Sequence, residues 1–143
     1  MQHLSNELSI ALVLLRSILG VVFFMHGAQK VLGWFGGYGL KNTVGYFTGT
    51  LHIPAPLGYA AAIAEFFGSI ALLFGLFTQA AALGILITMI VATLKVHVPS
   101  GFFLNATNDP KRGNGYEYSL TLAVIALVLV MLGGGSFSLD AVL

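Results

Sequence analysis

Residues Leu8–Leu32 read LSIALVLLRSILGVVFFMHGAQKVL. The run is longer than the roughly 20 apolar residues a helix needs to cross a bilayer. Arg16 interrupts it, and His26, Gln29 and Lys30 close it. An ionisable side chain at that depth is costly, so Arg16 needs a partner. A comparable run, Pro56–Phe77, carries the carboxylate of Glu65. Counted from the face that holds the termini, Arg16 lies about 13 Å deep and Glu65 about 18 Å deep, at 1.5 Å per residue. Long side chains bridge that difference, so a buried Arg16–Glu65 ion pair is expected. Such a pair serves either chemistry or helix register alone.

The rest of the chain agrees with a bilayer as its solvent. Of 143 residues, 57% are apolar and 8% charged, and the mean hydropathy is +0.93. Soluble domains carry about a quarter charged residues. The formal net charge of +1 and the lack of a Lys/Arg run exclude nucleic acid as a partner. There is no cysteine, which excludes disulfides, thiolate nucleophiles and Cys-bound metals within the chain. Glu7 without a preceding Lys or Arg, and Arg16 inside the apolar run, point to a retained transmembrane helix and not a cleaved signal.

The expected fold is all-α, an integral membrane four-helix bundle in one domain, 1–143. Its spans are 8–32, 56–77, 78–97 and 116–132, with an interfacial helix between the first two. Pro54 and Pro56 open the second span, and Thr78 is a candidate N-cap for the third. The second and third spans form a hairpin about a tight turn. In the first long connection Leu40, Val44, Phe47 and Leu51 recur at helical spacing, which suits a helix lying in the interface plane. The second long connection, Pro99–Asn114, is rich in turn residues. An even number of spans puts both connections on one face. Lys30, Lys41, Lys95, Lys111 and Arg112 fall at or near it, so the long loops are expected in the cytoplasm and the termini outside.

That face gathers polar residues. His26, Gln29 and Lys30 end the first span, Lys95 and His97 the third, and Glu117 and Tyr118 begin the fourth. They are expected to surround one cavity beneath the loops, although the lysines also suit separate snorkelling to the interface. Small residues at Ala60, Ala64 and Gly68, and at Ala80 and Gly84, suit close helix packing. Two histidines are weak evidence for axial haem ligation, and no metal site is expected.

Several short motifs occur in order along the chain. They are Arg16 with Gly20; His26-Gly27-Ala28-Gln29-Lys30 with Gly33; Ala64-Glu65-Phe66-Phe67-Gly68; and Gly75-Leu76-Phe77-Thr78 with Ala81-Ala82. His97, Gly101-Phe102-Phe103, Gly115-Tyr116-Glu117-Tyr118 and Gly135-Ser136-Phe137-Ser138-Leu139-Asp140 follow. In these the chain resembles the DoxX family over nearly its whole length. The resemblance implies a four-helix protein of a bacterial or archaeal cytoplasmic membrane. It also implies kinship with the DoxD subunit of thiosulfate:quinone oxidoreductase. The functional positions it implies are Arg16, His26, Lys30, Glu65, His97 and Glu117. The cysteine pair of more distant thiol-redox bundles is missing here.

Two functions follow as expectations. The first is a quinone-interacting oxidoreductase subunit, in which His26, His97 and Glu117 are catalytic. Lys30, Trp34, Phe102 and Tyr118 would then hold the ligand, with electrons coming from elsewhere. The second is a non-catalytic accessory subunit of a larger membrane complex. A transporter is disfavoured by the lack of a repeat or a broken helix. The expected partners are the lipid bilayer, a redox partner protein or membrane complex, and further copies of the chain.

Overall fold

The computed structural model describes residues 2–143. Its order is α1 (Gln2–Val31), α2 (Gly39–Gly49), α3 (Ala55–Phe74), α4 (Thr78–Ala92) and α5 (Glu117–Leu132). The described residues are all-α, without strands. α4 runs on through one π turn, Thr93–His97, and a 3₁₀ turn, Val98–Ser100. Among the described residues, three helical segments are long and apolar enough to cross a membrane: Ser5–Val31, Ala55–Phe74 and Thr78–Ser100. α5 is apolar and shorter, at 16 residues.

The helices pack in sequence order around one core. α1 lies on α3, α3 on α4, and α4 on α5, while α2 rests on α3 and α1. Leu19, Phe23, Leu72, Ala82, Ile85, Ala126 and Leu129 are fully buried between them. The outer faces are also apolar: Leu14, Ile18, Phe67, Phe74, Ile87, Leu94 and Met131 are all exposed. In water each 100 Å² of such surface would cost about 2.5 kcal/mol, whereas lipid accepts it. The stripe seen in the first connection turns inward on α2. Val44 is buried, Leu40, Phe47 and Leu51 are half-buried, and Val44 and Phe47 sit against Gly58 of α3.

At the far end, the C-terminal segment straps the α3–α4 turn. α3 stops at Gly75, whose φ of +66° is left-handed. A side chain there would also strike Ser138 and Arg16, so the turn requires glycine. Phe77, at the N-cap of α4, offers no capping oxygen of its own. Asp140 supplies it from the other end of the chain. Its Oδ1 accepts the Phe77 N–H at 2.6 Å, its Oδ2 accepts the Thr78 N–H at 2.8 Å, and its own N–H donates to Gly75 O at 2.9 Å. Arg16 completes the strap. Nη1 donates to Leu72 O at 3.2 Å and Leu73 O at 3.0 Å, and Nη2 donates to Phe137 O at 2.6 Å. Ser9 and Ser136 add two weaker bonds at 3.1 Å and 3.2 Å.

The strap makes stability depend on acid. Burial pushes the Asp140 carboxyl up, but the groups of Thr78, the Phe77 amide and the Arg16 charge outweigh it and hold the carboxyl below its ordinary range. A carboxyl lowered in the folded chain contributes stability above its unfolded pKa and loses it as pH falls through the folded value. Thermal melts in detergent should therefore show stability falling below about pH 4, with a shallower fall in Asp140→Asn. An equally steep acid limb in the variant would assign the loss to other carboxylates.

Candidate functional site

The expected Arg16–Glu65 pair does not form. Glu65 is paired with Lys30, and Arg16 serves the C-terminal strap. The reason is register. The sequence count set the first span level with the hairpin turn, but α1 starts earlier and its N-terminal part rises past that turn. Arg16 is therefore level with Leu72 and Leu73 at the end of α3, while Gly27 is level with Phe66. Arg16 and Lys30 are about 21 Å apart along α1 at 1.5 Å per residue. Glu65 faces the Lys30 end.

The Lys30–Glu65 pair is built by close packing of α1 on α3. A Cβ at Gly27 would sit 2.7 Å from the Phe66 Cα, so glycine lets the two backbones approach beside Glu65. Phe24 stacks on Phe66 with ring centroids 5.8 Å apart and seals the same level. The Glu65 side chain is 4% exposed and that of Lys30 is 26% exposed. The carboxylate is thus withdrawn into the bundle, while the ammonium reaches it from the rim. Burying either charge alone would cost several kcal/mol, and pairing offsets much of that. His26 precedes Lys30 by one turn. It is exposed, and it lies close enough to feel the charges of both Lys30 and Glu65. Three titratable groups therefore cluster at the loop-face end of α1 and α3.

A cleft of about 530 Å³ opens beside this cluster. Lys30 and Gln29 border it from α1, Gly36, Gly37 and Tyr38 from the turn, and Asn42, Thr43, Tyr46 and Phe47 from the α2 side. Thr43 holds α2 to the helix end through a long bond to Lys30 O at 3.4 Å. Trp34, exposed, lies on the same turn.

The other expected site residues serve a different structure. His97 Nδ1 donates to Asn114 O at 3.0 Å, with the ring at the end of the π turn. The Glu117 Oε1 accepts the Leu104 N–H at 2.8 Å. Phe102 packs edge-on against Tyr116 at 5.3 Å. These contacts pin the 101–116 loop. Phe102 and Tyr118 are both exposed. Lys95 reaches the first connection, donating to Leu51 O at 3.1 Å. Among the described residues, no hydrogen bond or ion pair joins His26 to His97 or Glu117. The contacts fall in two groups: His26, Lys30 and Glu65 interact at the end of α1, and His97 and Glu117 hold the 101–116 loop. No three His, Cys, Asp or Glu residues among those described are placed to hold a metal ion.

Asp140 was missed by sequence reasoning as a structural residue. A cap supplied from 63 residues away leaves no local signal. The paired use of Gly75-Leu76-Phe77-Thr78 and of the Asp140 motif at the end of the chain was the available hint.

Comparison with known proteins finds relatives that cover most of the chain. A relative from Bacillus subtilis named "Putative oxidoreductase CatD" is 29% identical over 126 residues, covering 88% of this chain and 83% of the relative. An uncharacterised protein of Haemophilus influenzae is 30% identical over 136 residues, covering 94% of this chain and 83% of its own length. A second from the same species is 29% identical over 143 residues, covering 98% and 96%. No solved structure matches. The DoxX family model matches residues 11–98, which include Arg16, His26, Lys30, Glu65 and His97. That stretch is more than half of the chain and contains the whole Lys30–Glu65 centre, so this membrane protein belongs to the DoxX family.

Proposed function

We propose that the chain is a quinone-interacting redox subunit, with its polar centre at His26, Lys30 and Glu65. The observation that carries this reading is the buried Lys30–Glu65 pair, with its ammonium reaching a cleft. A purely structural pair needs no such opening. A quinone supplies two-electron, two-proton chemistry when bound. Lys30 has three N–H donors and uses one on Glu65, which leaves donors for a carbonyl oxygen. Glu65 is positioned to exchange a proton through Lys30, and His26 adds a second titratable group one turn away. Electrons reach the site from a redox partner protein or membrane complex. The oxidoreductase name of the Bacillus subtilis relative supports the class of chemistry.

In this reading the chain crosses the membrane four times. α5 spans about 24 Å at 1.5 Å per residue, which needs slight thinning of the bilayer around it. α2 lies in the interface with its apolar stripe on the bundle. Lys41, Lys95, Lys111 and Arg112 support long loops in the cytoplasm of a bacterial or archaeal cell, with the termini outside, by the positive-inside rule.

The test is quinone binding to the purified protein in lipid nanodiscs. His26 is exposed, so His26→Ala should leave the melting temperature unchanged. It should weaken quinone binding about tenfold, as expected if the His26 ring N–H also donates to the quinone and that bond is lost. Glu117→Gln should loosen the 101–116 loop and leave the affinity as it was. Unchanged affinity in His26→Ala removes this centre from the reading. A wild-type protein that binds no quinone but retains a stable membrane partner would favour the accessory-subunit function.

A further inference from the structure

We propose that the connection between α4 and α5 is a binding site for anionic phospholipid, in which Phe102, Phe103 and Leu104 meet the acyl chains and Lys111 and Arg112 hold the phosphate. The site lies outside the Lys30–Glu65 centre and does not depend on the quinone reading.

The connection is hydrogen-bonded from its foot to its tip. Its two ends clasp each other: the Gly115 N–H donates to Phe103 O at 3.1 Å, the Tyr116 N–H to Gly101 O at 3.0 Å and the Glu117 N–H to Phe102 O at 2.9 Å. Gly115 permits this approach, since a Cβ there would overlap Gly101 O and Phe103 O. Asn105 staples the tip beyond the clasp. Its Nδ2 donates to Asp109 O at 2.7 Å and to Arg112 O at 2.6 Å, and its Oδ1 accepts the Asp109 N–H at 3.2 Å. The Asp109 carboxylate accepts the Lys111 N–H at 2.9 Å, and that of Glu117 accepts the Leu104 N–H. Both carboxylates of the connection thus serve its fold. Lys111 and Arg112 are exposed, and among the described residues neither side chain makes an ion pair or a hydrogen bond.

Apolar and basic groups meet at one level. Thr78–Ser100, long and apolar enough to cross a membrane, stops just before Phe102. Phe102, Phe103 and Leu104 are all exposed there, a patch that water penalises. Asn105 joins the two sets, because it follows Leu104 in the chain and holds the Arg112 backbone. A guanidinium matches a phosphate in a two-bond fork, and the neighbouring ammonium adds a second charge. An anionic phospholipid brings both parts, chains for the apolar foot and a phosphate for the cations. The choline of a zwitterionic lipid would be set against the same cations. An acidic protein surface answers the cations and leaves the foot uncovered.

The full chain in detergent is titrated with dioleoyl phosphatidylglycerol and, separately, with dioleoyl phosphatidylcholine, and native mass spectrometry counts the bound lipid. Phosphatidylglycerol should fill its first site roughly tenfold more tightly, since each Lys or Arg near an anionic headgroup contributes about fivefold. Lys111→Gln/Arg112→Gln should lose most of that preference at an unchanged melting temperature. Asn105→Ala keeps both charges but frees the tip, and should lose part of it. Lys41→Gln removes a cation from α2 and should leave it as it was. Full preference in the double variant or in Asn105→Ala, or an equal loss in Lys41→Gln, would overturn the site, because the charge of the whole face would then be what the lipid reads. Excess glycerol phosphate, which has no chains, should not displace the lipid; displacement would assign the site to a soluble phosphate and overturn the role of the apolar foot. Equal affinity of the wild-type chain for the two lipids would also overturn the proposal and leave the cations to an acidic protein partner.

Discussion

Replacing Lys30 by Met is expected to cost roughly 3–5 kcal/mol of stability, the typical loss when one partner of a buried pair is removed. The variant leaves the Glu65 carboxylate nearly fully buried with no countercharge. Glu65→Gln should cost less, because the Lys30 side chain is partly exposed and its ammonium can turn toward the rim. The double variant Lys30→Met/Glu65→Gln should recover part of the loss. Denaturation in detergent, read as a double-mutant cycle, measures the coupling. Additive losses would mean that the two side chains do not meet.

Arg16→Met should be at least as damaging, for a different reason. The guanidinium donates to three backbone carbonyls, from the end of α3 and from the C-terminal strap. Hydrogen bonds from charged groups contribute about 1.5–3 kcal/mol each, and the carbonyls would be left short of donors. The loss should concentrate at one end of the molecule. Amide exchange should rise in residues 133–143 and at the α3–α4 turn, with α2 unaffected. A cycle between Arg16→Met and Glu65→Gln should be additive within about 0.3–0.5 kcal/mol, since the two sites share no partner. A large coupling term between them would restore the direct pair expected from the sequence.

The helices were legible because apolar runs of bilayer length leave little freedom, and because Pro54 and Pro56 open the second of them; its end was read two to three residues late, since Gly75 stops α3 inside the apolar run. The inward stripe on α2 was legible for the same reason, through spacing. The ion pair was not. Depth counting assumes that neighbouring helices start level, and α1 does not start level with the hairpin. Arg16 also found carbonyls at a helix end, which carry no residue-type signature. The loop-face end does hold titratable residues, but the sequence cannot distinguish a glutamate facing a ligand from one that pins a loop. Glu117 satisfies the Leu104 amide, and His97 satisfies the Asn114 carbonyl. Those partners lie in an irregular loop whose path follows from its turns together, not from any one residue.

Photoaffinity labelling with an azidoquinone in lipid tests the location of the centre most directly. Labelled peptides are identified by mass spectrometry, with excess unlabelled quinone as competitor. The proposed function predicts competed label on residues 26–30 and 38–47, around Lys30 and the cleft that it borders. Competed label confined to residues 97–104 and 116–118 would contradict this and move the functional end to the loop that His97 and Glu117 hold.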